Sequence, residues 1–301
     1  MNPAERDRLT GEVSAILADA GCAGWVHAVS LGRPDHTFGV GADSPVVLAS
    51  VYKLPLMISL CRMADRGEID MSEQVEVMPG EWSSGATGLA LLHHPVRMSW
   101  RDLATSMMTV SDNVAADVIL TRVGLDAVLA DLADLELGRT RIVGGMRELH
   151  VRLQSETGTS TIAEAFAVLA DPDVGTAVSA YDAAYSSAST PRDCTALLAA
   201  LWRDDVASPE SCALIRATMR LQVFTSRLAS GFPFRHVGVA GKTGTLAAIR
   251  NEIGVIEFPG EHPVAIAVFT KSARPDPTLP EVDRAIGRVA RAVVTELRVP
   301  A

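Results

Sequence analysis

Apolar positions repeat with two different periods along this chain, and the change of period divides it into three regions. Residues 1–45 begin with an amphipathic helix and continue with two predicted strands, at 24–31 and 37–40, joined by the turn sequence GRPD. Residues from about 50 to 220 have mainly helical periodicity, whereas residues 236–270 are rich in Val and Ile and predict three strands. A closing amphipathic helix carries an apolar face formed by Val282, Ile286, Val289 and Val293.

The placement of the strands at both ends predicts the fold class. Short strands cannot each form a sheet alone, so the economical arrangement is one antiparallel sheet built from both termini and flanked by the terminal helices. A mainly helical domain is then inserted between the two halves of the sheet. We therefore predict an α+β fold, with residues 1–48 and 221–301 forming a discontinuous sheet domain and residues 49–220 forming the helical domain.

Residues 155–190 form a compositional exception within the helical region. They are rich in Ala, Ser, Thr, Gly and Asp, and only TIAEAFAVLA predicts a helix, capped by Ser160 or Thr161. The remainder is expected to be a long, mobile connection. Two interpretations stay open, a surface insertion and a lid over a site.

Composition and charge exclude several classes of protein. A chain of 301 residues with 48% hydrophobic residues can bury a large core and is not globally disordered. Its net charge of −9 disfavours a nucleic-acid partner, which needs a basic face. No apolar run approaches a membrane span, and charged residues occupy positions 5–8, where a signal peptide is apolar. With Met1 as the native start, we expect a cytoplasmic protein.

The four cysteines show no CxxC spacing and lie mostly among apolar or small residues. We expect them to be buried small hydrophobes rather than disulfide partners or metal ligands. They are Cys22, Cys61, Cys194 and Cys212.

The basic residues are unusually biased towards arginine. Only three of the 27 are lysines, at Lys53, Lys242 and Lys271. Both residue types serve as solvated surface charge, but only lysine readily loses its proton when desolvated and can then act as a base. The positions where lysine persists are therefore candidates for chemistry.

Lys53 follows Ser50 by three residues at a predicted helix start. Pro55 supports that start, because proline is tolerated in the first helical turn. Ser50 and Lys53 share one helix face, and the unpaired N–H groups at a helix start suit a nucleophile whose substrate develops an oxyanion. The structural alternative is a Ser cap followed by a solvated lysine.

Lys242 lies in GKTGT at 241–245, inside a predicted strand. Glycines in a strand mark the close approach of another backbone or a ligand. GKT also ends the phosphate-binding loop GxxxxGK[ST], but the first glycine of that loop would stand at His236, and no helix pattern follows. The nucleotide interpretation is therefore disfavoured.

Ser111, Asp112 and Asn113 form a third element at a helix junction, where alone they could be a simple helix cap. The ordered set SxxK, SDN and KTG resembles the signature of class A β-lactamases and penicillin-binding proteins. The likeness extends from about residue 24 to 270. It implies the same α+β fold with a helical insert.

The resemblance implies a role for each motif residue. Ser50 would be the acylated nucleophile and Lys53 its base, with a pKa lowered by burial and by Lys242. Ser111 would relay a proton to the leaving atom, and Lys242 would hold Ser111 and attract a substrate carboxylate. The substrate-binding residues would be Asn113, Thr243, Gly244 and Thr245, with Arg250 as a further candidate for a carboxylate contact. The substrate would be a small, carboxylate-bearing acyl compound, and no metal or cofactor is implied.

Two departures from the class A pattern matter. That family carries a glutamate in a loop of the form RxExxLN, which activates the deacylating water, whereas this chain has GGMRELHVRLQSETG. Glu148 and Glu156 are both candidates, and neither matches the pattern. The family is also normally exported, and no signal is visible here.

Three functions remain open at this stage. The first is a β-lactamase-like serine hydrolase that cleaves an amide, lactam or ester through acyl-Ser50. The second is an intracellular acyltransferase or biosynthetic amide or ester hydrolase with poor β-lactam turnover. The third is a non-catalytic penicillin-binding sensor. The natural substrate and the oligomeric state do not follow from the sequence.

Overall fold

The computed structural model describes residues 1–171 and 178–301. Its helices are α1 (Pro3–Asp19), α2 (Lys53–Asp65), α3 (Trp100–Thr109), α4 (Asn113–Val123), α5 (Leu125–Asp134), α6 (Met146–Thr157), α7 (Ile162–Ala170), α8 (Pro191–Trp202), α9 (Pro209–Met219) and α10 (Pro280–Leu297). Its strands are β1 (Cys22–Ser30), β2 (Arg33–Val40), β3 (Val46–Val47), β4 (Gln74–Val77), β5 (Val96–Ser99), β6 (Ala188–Ser189), β7 (Gly238–Leu246), β8 (Ile249–Glu257) and β9 (Val264–Ser272).

The main sheet joins strands from both ends of the chain. Its five strands run in the order β2-β1-β9-β8-β7, and every neighbouring pair is antiparallel. Helices α1 and α10 pack together on the sheet, and their apolar faces share one buried cluster with β1 and β9. A second buried cluster joins the other face of the sheet to α2, α3, α4, α8 and α9. The predicted α+β fold with a helical insert is confirmed, while the exact domain bounds stay a prediction.

Helix α10 shows why the terminal helices belong to the sheet. Its predicted apolar residues, Val282, Ile286, Val289 and Val293, are all buried, and acidic residues lie in its first turn, where they suit the helix dipole.

Within residues 1–171 and 178–301, no helix is long and apolar enough to cross a membrane.

The first hairpin differs from its predicted form. The turn is confined to Leu31 and Gly32, and β2 already begins at Arg33, so Pro34 lies inside a strand. Because β2 is an edge strand, a residue without an N–H group is tolerated there without breaking the sheet.

Capping residues mark the start or the end of several helices. The Ser99 hydroxyl accepts the Asp102 N–H at 3.1 Å and starts α3. Thr161 caps α7 in a reciprocal pair with Glu164. Gly67 follows the end of α2 with φ of +73°, a left-handed conformation that glycine adopts easily.

The described part of residues 155–190 is packed rather than loose. Strand β6 pairs with β3, immediately before Ser50. Val178 and Ala180 are buried in a cluster with Val47 and Leu246. This segment therefore supports the base of the Ser50-bearing turn. Residues 172–177 of the predicted mobile connection lie outside the described residues.

All four cysteines are buried and unbridged. Burial raises the pKa of the Cys61 and Cys194 thiols to about 12, which keeps both in the unreactive thiol form. They act as small apolar core residues, as predicted.

Candidate active site

Ser50 lies in a short 3₁₀ turn, Ala49–Tyr52, that leads directly into α2 at Lys53. With three residues per turn, Ser50 and Lys53 are stacked on one face. Ala49 has φ of +47°, an uncommon backbone conformation for a residue with a side chain. Ser50 itself is half-buried. Pro55 occupies the first turn of α2, as predicted.

Lys53 connects the Ser50 turn to the second motif. Its ammonium group is fully buried. It donates hydrogen bonds to the Ser111 carbonyl at 2.7 Å, to Asn113 Oδ1 at 2.8 Å and to Ser111 Oγ at 3.3 Å. A residue 58 positions away along the chain therefore fixes the direction of the Lys53 side chain.

Asp112 holds the second motif in place. Its fully buried carboxylate caps α4 through the Ala115 N–H at 3.2 Å. It also accepts hydrogen bonds from the Leu89 N–H at 2.8 Å and the Ser106 hydroxyl at 2.7 Å. Ser111, the residue before it, has φ of +57°. Asp112 is thus a helix cap, as the simpler interpretation held, and the same contacts hold Ser111 in a strained conformation.

Asn113 begins α4, and both ends of its amide group are engaged. Its oxygen accepts the Lys53 ammonium, and its nitrogen donates to the Ser84 carbonyl at 3.2 Å.

Lys242, in strand β7, also bonds to the Ser111 hydroxyl group. Its fully buried ammonium donates to Ser111 Oγ at 3.0 Å and to the Thr243 carbonyl at 2.9 Å. The Ser111 hydroxyl consequently lies between two lysine side chains. The structure thus brings together the three residues Lys53, Ser111 and Lys242, which we call the Lys–Ser–Lys cluster.

Burial lowers the pKa of both lysines. It lowers the pKa of Lys53 to about 7, against the opposing charges of Asp112 and Asp117. Burial, followed by the charges of Lys53 and Arg227, lowers the pKa of Lys242 well below its usual range. Burial is therefore the main cause at both lysines.

Gly244 allows β7 to run directly beside the Ser50 turn. A β-carbon added at Gly244 would lie 2.5 Å from the Leu48 carbonyl oxygen and 3.1 Å from a Val51 methyl group. The strand glycine therefore marks a close backbone approach, as predicted. Of the two neighbouring threonines, Thr243 is buried and Thr245 is exposed.

Arg227 completes this edge of the site. Its buried guanidinium donates to Thr245 Oγ1 at 2.7 Å and to the carbonyls of Gly244 and Asn251 at 2.9 and 2.8 Å. It also forms an ion pair with Asp283 at 2.7 Å. No sequence motif singles out Arg227, because one arginine among 24 carries little signal.

Residues 8–297 match the model of the beta-lactamase enzyme family. The chain belongs to the β-lactamase family. It is 30% identical over 275 residues to the β-lactamase regulatory protein BlaB of Streptomyces cacaoi, with 86% of this chain and 88% of BlaB covered.

Solved structures of this family share the fold along almost the whole chain. The β-lactamase of Sphaerobacter thermophilus has a TM-score of 0.76 at 26% identity, with 95% of this chain and 96% of that chain covered. A β-lactamase of Xanthomonas campestris has a TM-score of 0.78, with 96% and 97% covered, and at 20% identity it supports the fold alone.

Arg250 does not present a free guanidinium to a ligand. The buried group donates to the carbonyls of Ile249, Pro277 and Asp276 at 3.0, 3.2 and 3.3 Å. The suggested contact of Arg250 to a substrate carboxylate stays a prediction, and Arg227 is the arginine that bonds to Thr245.

The two candidate glutamates are exposed and used locally. The Glu148 carboxylate accepts the Gly145 N–H at 2.8 Å at the start of α6. The Glu156 carboxylate accepts the N–H group of Ser179 at 2.9 Å and also its hydroxyl group. The structure joins neither of them by a hydrogen bond to Ser50 or to the Lys–Ser–Lys cluster.

Proposed function

We propose that this member of the β-lactamase family is a serine hydrolase that cleaves an amide, lactam or ester through an acyl-Ser50 intermediate. The observation that carries the proposal is the Lys–Ser–Lys cluster, in which two fully buried lysines share the Ser111 hydroxyl beside the Ser50 turn. A lysine with a pKa of about 7 is half neutral at neutral pH. It is then available to take the proton of a nucleophile.

In the first step, the Ser50 hydroxyl attacks the carbonyl carbon of the substrate, and its proton passes to neutral Lys53, directly or through a water molecule. The backbone N–H groups of Ser50 and Thr245 stabilise the oxyanion. The close approach of β7 at Gly244 supports this pairing. The proton taken by Lys53 then passes through the Ser111 hydroxyl to the leaving nitrogen or oxygen, while Lys242 holds that hydroxyl group.

A carboxylate-bearing substrate fits the β7 edge of the site. Thr243 and Thr245 supply hydroxyl groups there, and Arg227 adds a permanent positive charge bonded to Thr245. The family relative PBP-A, which shares this fold at 19% identity and a TM-score of 0.73, was solved as an acyl-enzyme complex of a variant with penicillin G. A compound of that class is therefore a suitable first acyl donor.

Intact-mass measurement tests the proposal. The wild-type protein and Ser50→Ala are incubated with penicillin G, a cephalosporin and a p-nitrophenyl ester. We expect an adduct on the wild-type protein and none on Ser50→Ala. The absence of both a Ser50-dependent adduct and turnover with every donor would refute the proposed function.

A second candidate is an acyltransferase, or a biosynthetic amide or ester hydrolase, that turns over β-lactams poorly. The contacts of Glu148 and Glu156 favour it, because each carboxylate accepts a backbone N–H group and neither bonds to Ser50 or to the Lys–Ser–Lys cluster. Slow loss of the adduct in water, accelerated by an added amine or alcohol, would support this candidate. Rapid hydrolysis of a chromogenic cephalosporin would exclude it.

A stoichiometric adduct that never clears would instead indicate a sensor, a possibility that the name of the relative BlaB also raises.

The cytoplasmic location remains a prediction. It can be measured by fractionating cells that express the complete gene.

A further inference from the structure

Helix α6 turns one set of side chains inward and another outward. Met146, His150 and Leu153, at positions i, i+4 and i+7, are all buried, and this spacing places them on one helix face. Glu148 and Glu156 are exposed on other faces. His150 is therefore the only titratable side chain on the buried face of α6.

Both ends of this buried face are attached to the walls of the proposed active site. At one end, the Met146 N–H donates to Asp117 Oδ1 at 2.9 Å, and Asp117 lies one turn after Asn113 in α4. At the other end, Leu153 packs in a cluster with Val47 and Leu246. Those two residues precede the Ser50 turn and follow Thr245. His150 lies between these attachments and so faces the space between α4 and the Ser50 turn.

The surroundings of His150 keep its imidazole ring neutral and able to accept a proton. Burial and the nearby charge of Lys53 lower its pKa to about 4. Its ring meets the Phe166 ring edge-on at 6.2 Å between centroids. Within the described residues, no hydrogen bond engages the ring nitrogens of His150, and neither nitrogen is sealed from water. A neutral imidazole with a free lone pair can accept a proton from water.

Glu148, the rival base, faces a different part of the Ser50 turn. It lines a cavity of about 40 Å³ with Ala49, Tyr52 and Leu246. In a 3₁₀ turn, residues three apart share a face, so Ala49 and Tyr52 form one face and Ser50 and Lys53 form another. Glu148 is thus directed to the back of the turn, and His150 is not among the residues that line this cavity.

We propose that His150 is the general base that activates the water molecule which hydrolyses acyl-Ser50. The proposal rests on the proposed function. A ring nitrogen of His150 takes one proton from water as the water oxygen bonds to the acyl carbonyl carbon. The bond between that carbon and Ser50 Oγ then breaks, the proton passes from His150 to Ser50 Oγ, and the free carboxylic acid leaves.

The lifetime of the acyl-enzyme tests this assignment. Wild type, His150→Ala, His150→Asn, Glu148→Gln and Glu156→Gln are each acylated with penicillin G or a p-nitrophenyl ester. Excess donor is removed, and the loss of the adduct is followed by intact mass. We expect both His150 variants to acquire the adduct at the wild-type rate and to lose it about 100-fold more slowly, the usual contribution of a general base. Added imidazole should accelerate the loss in His150→Ala and leave Glu148→Gln unchanged.

Several outcomes would overturn the assignment. One is an adduct lifetime in His150→Asn equal to that of wild type, because Asn keeps a polar side chain but has no base. Another is slow deacylation in Glu148→Gln or Glu156→Gln, or a wild-type adduct that never clears. In each of these results the adduct still forms, so the proposed function stands. No Ser50-dependent adduct on any variant would overturn both.

Discussion

The Lys–Ser–Lys cluster and helix α6 both lie beside the Ser50 turn, but their polar groups are held by different kinds of contact. In the cluster, Lys53 and Lys242 bond to a residue 58 and 131 positions away. In α6, Glu148 bonds to Gly145, three residues away. The cluster is a tertiary arrangement of buried charges, while Glu148 is an ordinary cap at the exposed start of α6.

Buried charges and local caps should therefore respond differently to substitution. Loss of a group in the cluster removes chemistry and leaves buried partners unsatisfied, which costs more than the loss of a surface contact. Loss of an exposed cap costs a fraction of the stability of one helix. Two of the three lysines belong to the cluster. Lys271 is exposed, and its ammonium group lies 5.4 Å from the centroid of the Tyr181 ring.

The largest effect is expected from Lys53→Met, which keeps the length of the side chain and removes the base. We expect acylation by penicillin G to slow roughly 100- to 10,000-fold, measured by intact mass against time. Lys271→Met is the matched control and should acylate at the wild-type rate. Acylation of Lys53→Met within a few-fold of wild type would remove Lys53 from the mechanism.

The pH profile of acylation examines the same lysine without a substitution. Because only neutral Lys53 accepts a proton, and its pKa is about 7, the rate should fall about tenfold per pH unit below 7 and level off above it. A neutral ester serves as donor, so that the substrate does not titrate. A flat profile between pH 5 and 8 would contradict this role.

Gly244→Ala examines the packing between β7 and the Ser50 turn. The added methyl group would collide with the Leu48 carbonyl oxygen, which belongs to the backbone and cannot rotate away. We expect a loss of about 1–3 kcal/mol in the free energy of unfolding, measured by urea denaturation. Gly11→Ala is the control, since nothing lies within 4 Å there and alanine favours the α1 helix by about 0.5–1 kcal/mol. Equal stability of the two variants would argue against the close approach.

Arg227→Lys examines the carboxylate-binding edge. Lysine keeps the charge but cannot bond to Thr245, Gly244 and Asn251 at once. We expect KM for a carboxylate-bearing donor to rise about tenfold, the value of one hydrogen bond to a charged group, and KM for a neutral ester to change less. An equal rise for both donors would show that Arg227 supports the fold rather than the substrate.

The smallest effect is expected from Glu148→Gln. The substitution removes one negative charge from the first turn of α6, which should cost about 0.3–1 kcal/mol of stability, measured by urea denaturation. The acylation rate should not change. A large loss of acylation would show that α6 contributes its outer face to the chemistry.

Much of the fold could be predicted because its signals are local. The caps at Ser99 and Thr161 and the apolar face of α10 depend on residues three or four positions apart, a distance that the sequence displays directly. Pro34 was predicted to lie in a turn and lies in a strand, because the sequence does not show which strand is at an edge of the sheet.

The sequence by itself singled out the residues that are proposed to carry the chemistry: Ser50, Lys53, Ser111 and Lys242 stand in three motifs whose order and residue types are specific. Only the tertiary structure decided how they are used. Burial, which lowers the pKa of Lys53 to about 7, comes from elements far apart in the chain. The same packing directed Arg227 towards Thr245, occupied Arg250 with backbone carbonyls and turned His150, rather than Glu148, to the inner face of α6. Side-chain direction and desolvation depend on long-range contacts, and no local pattern records them.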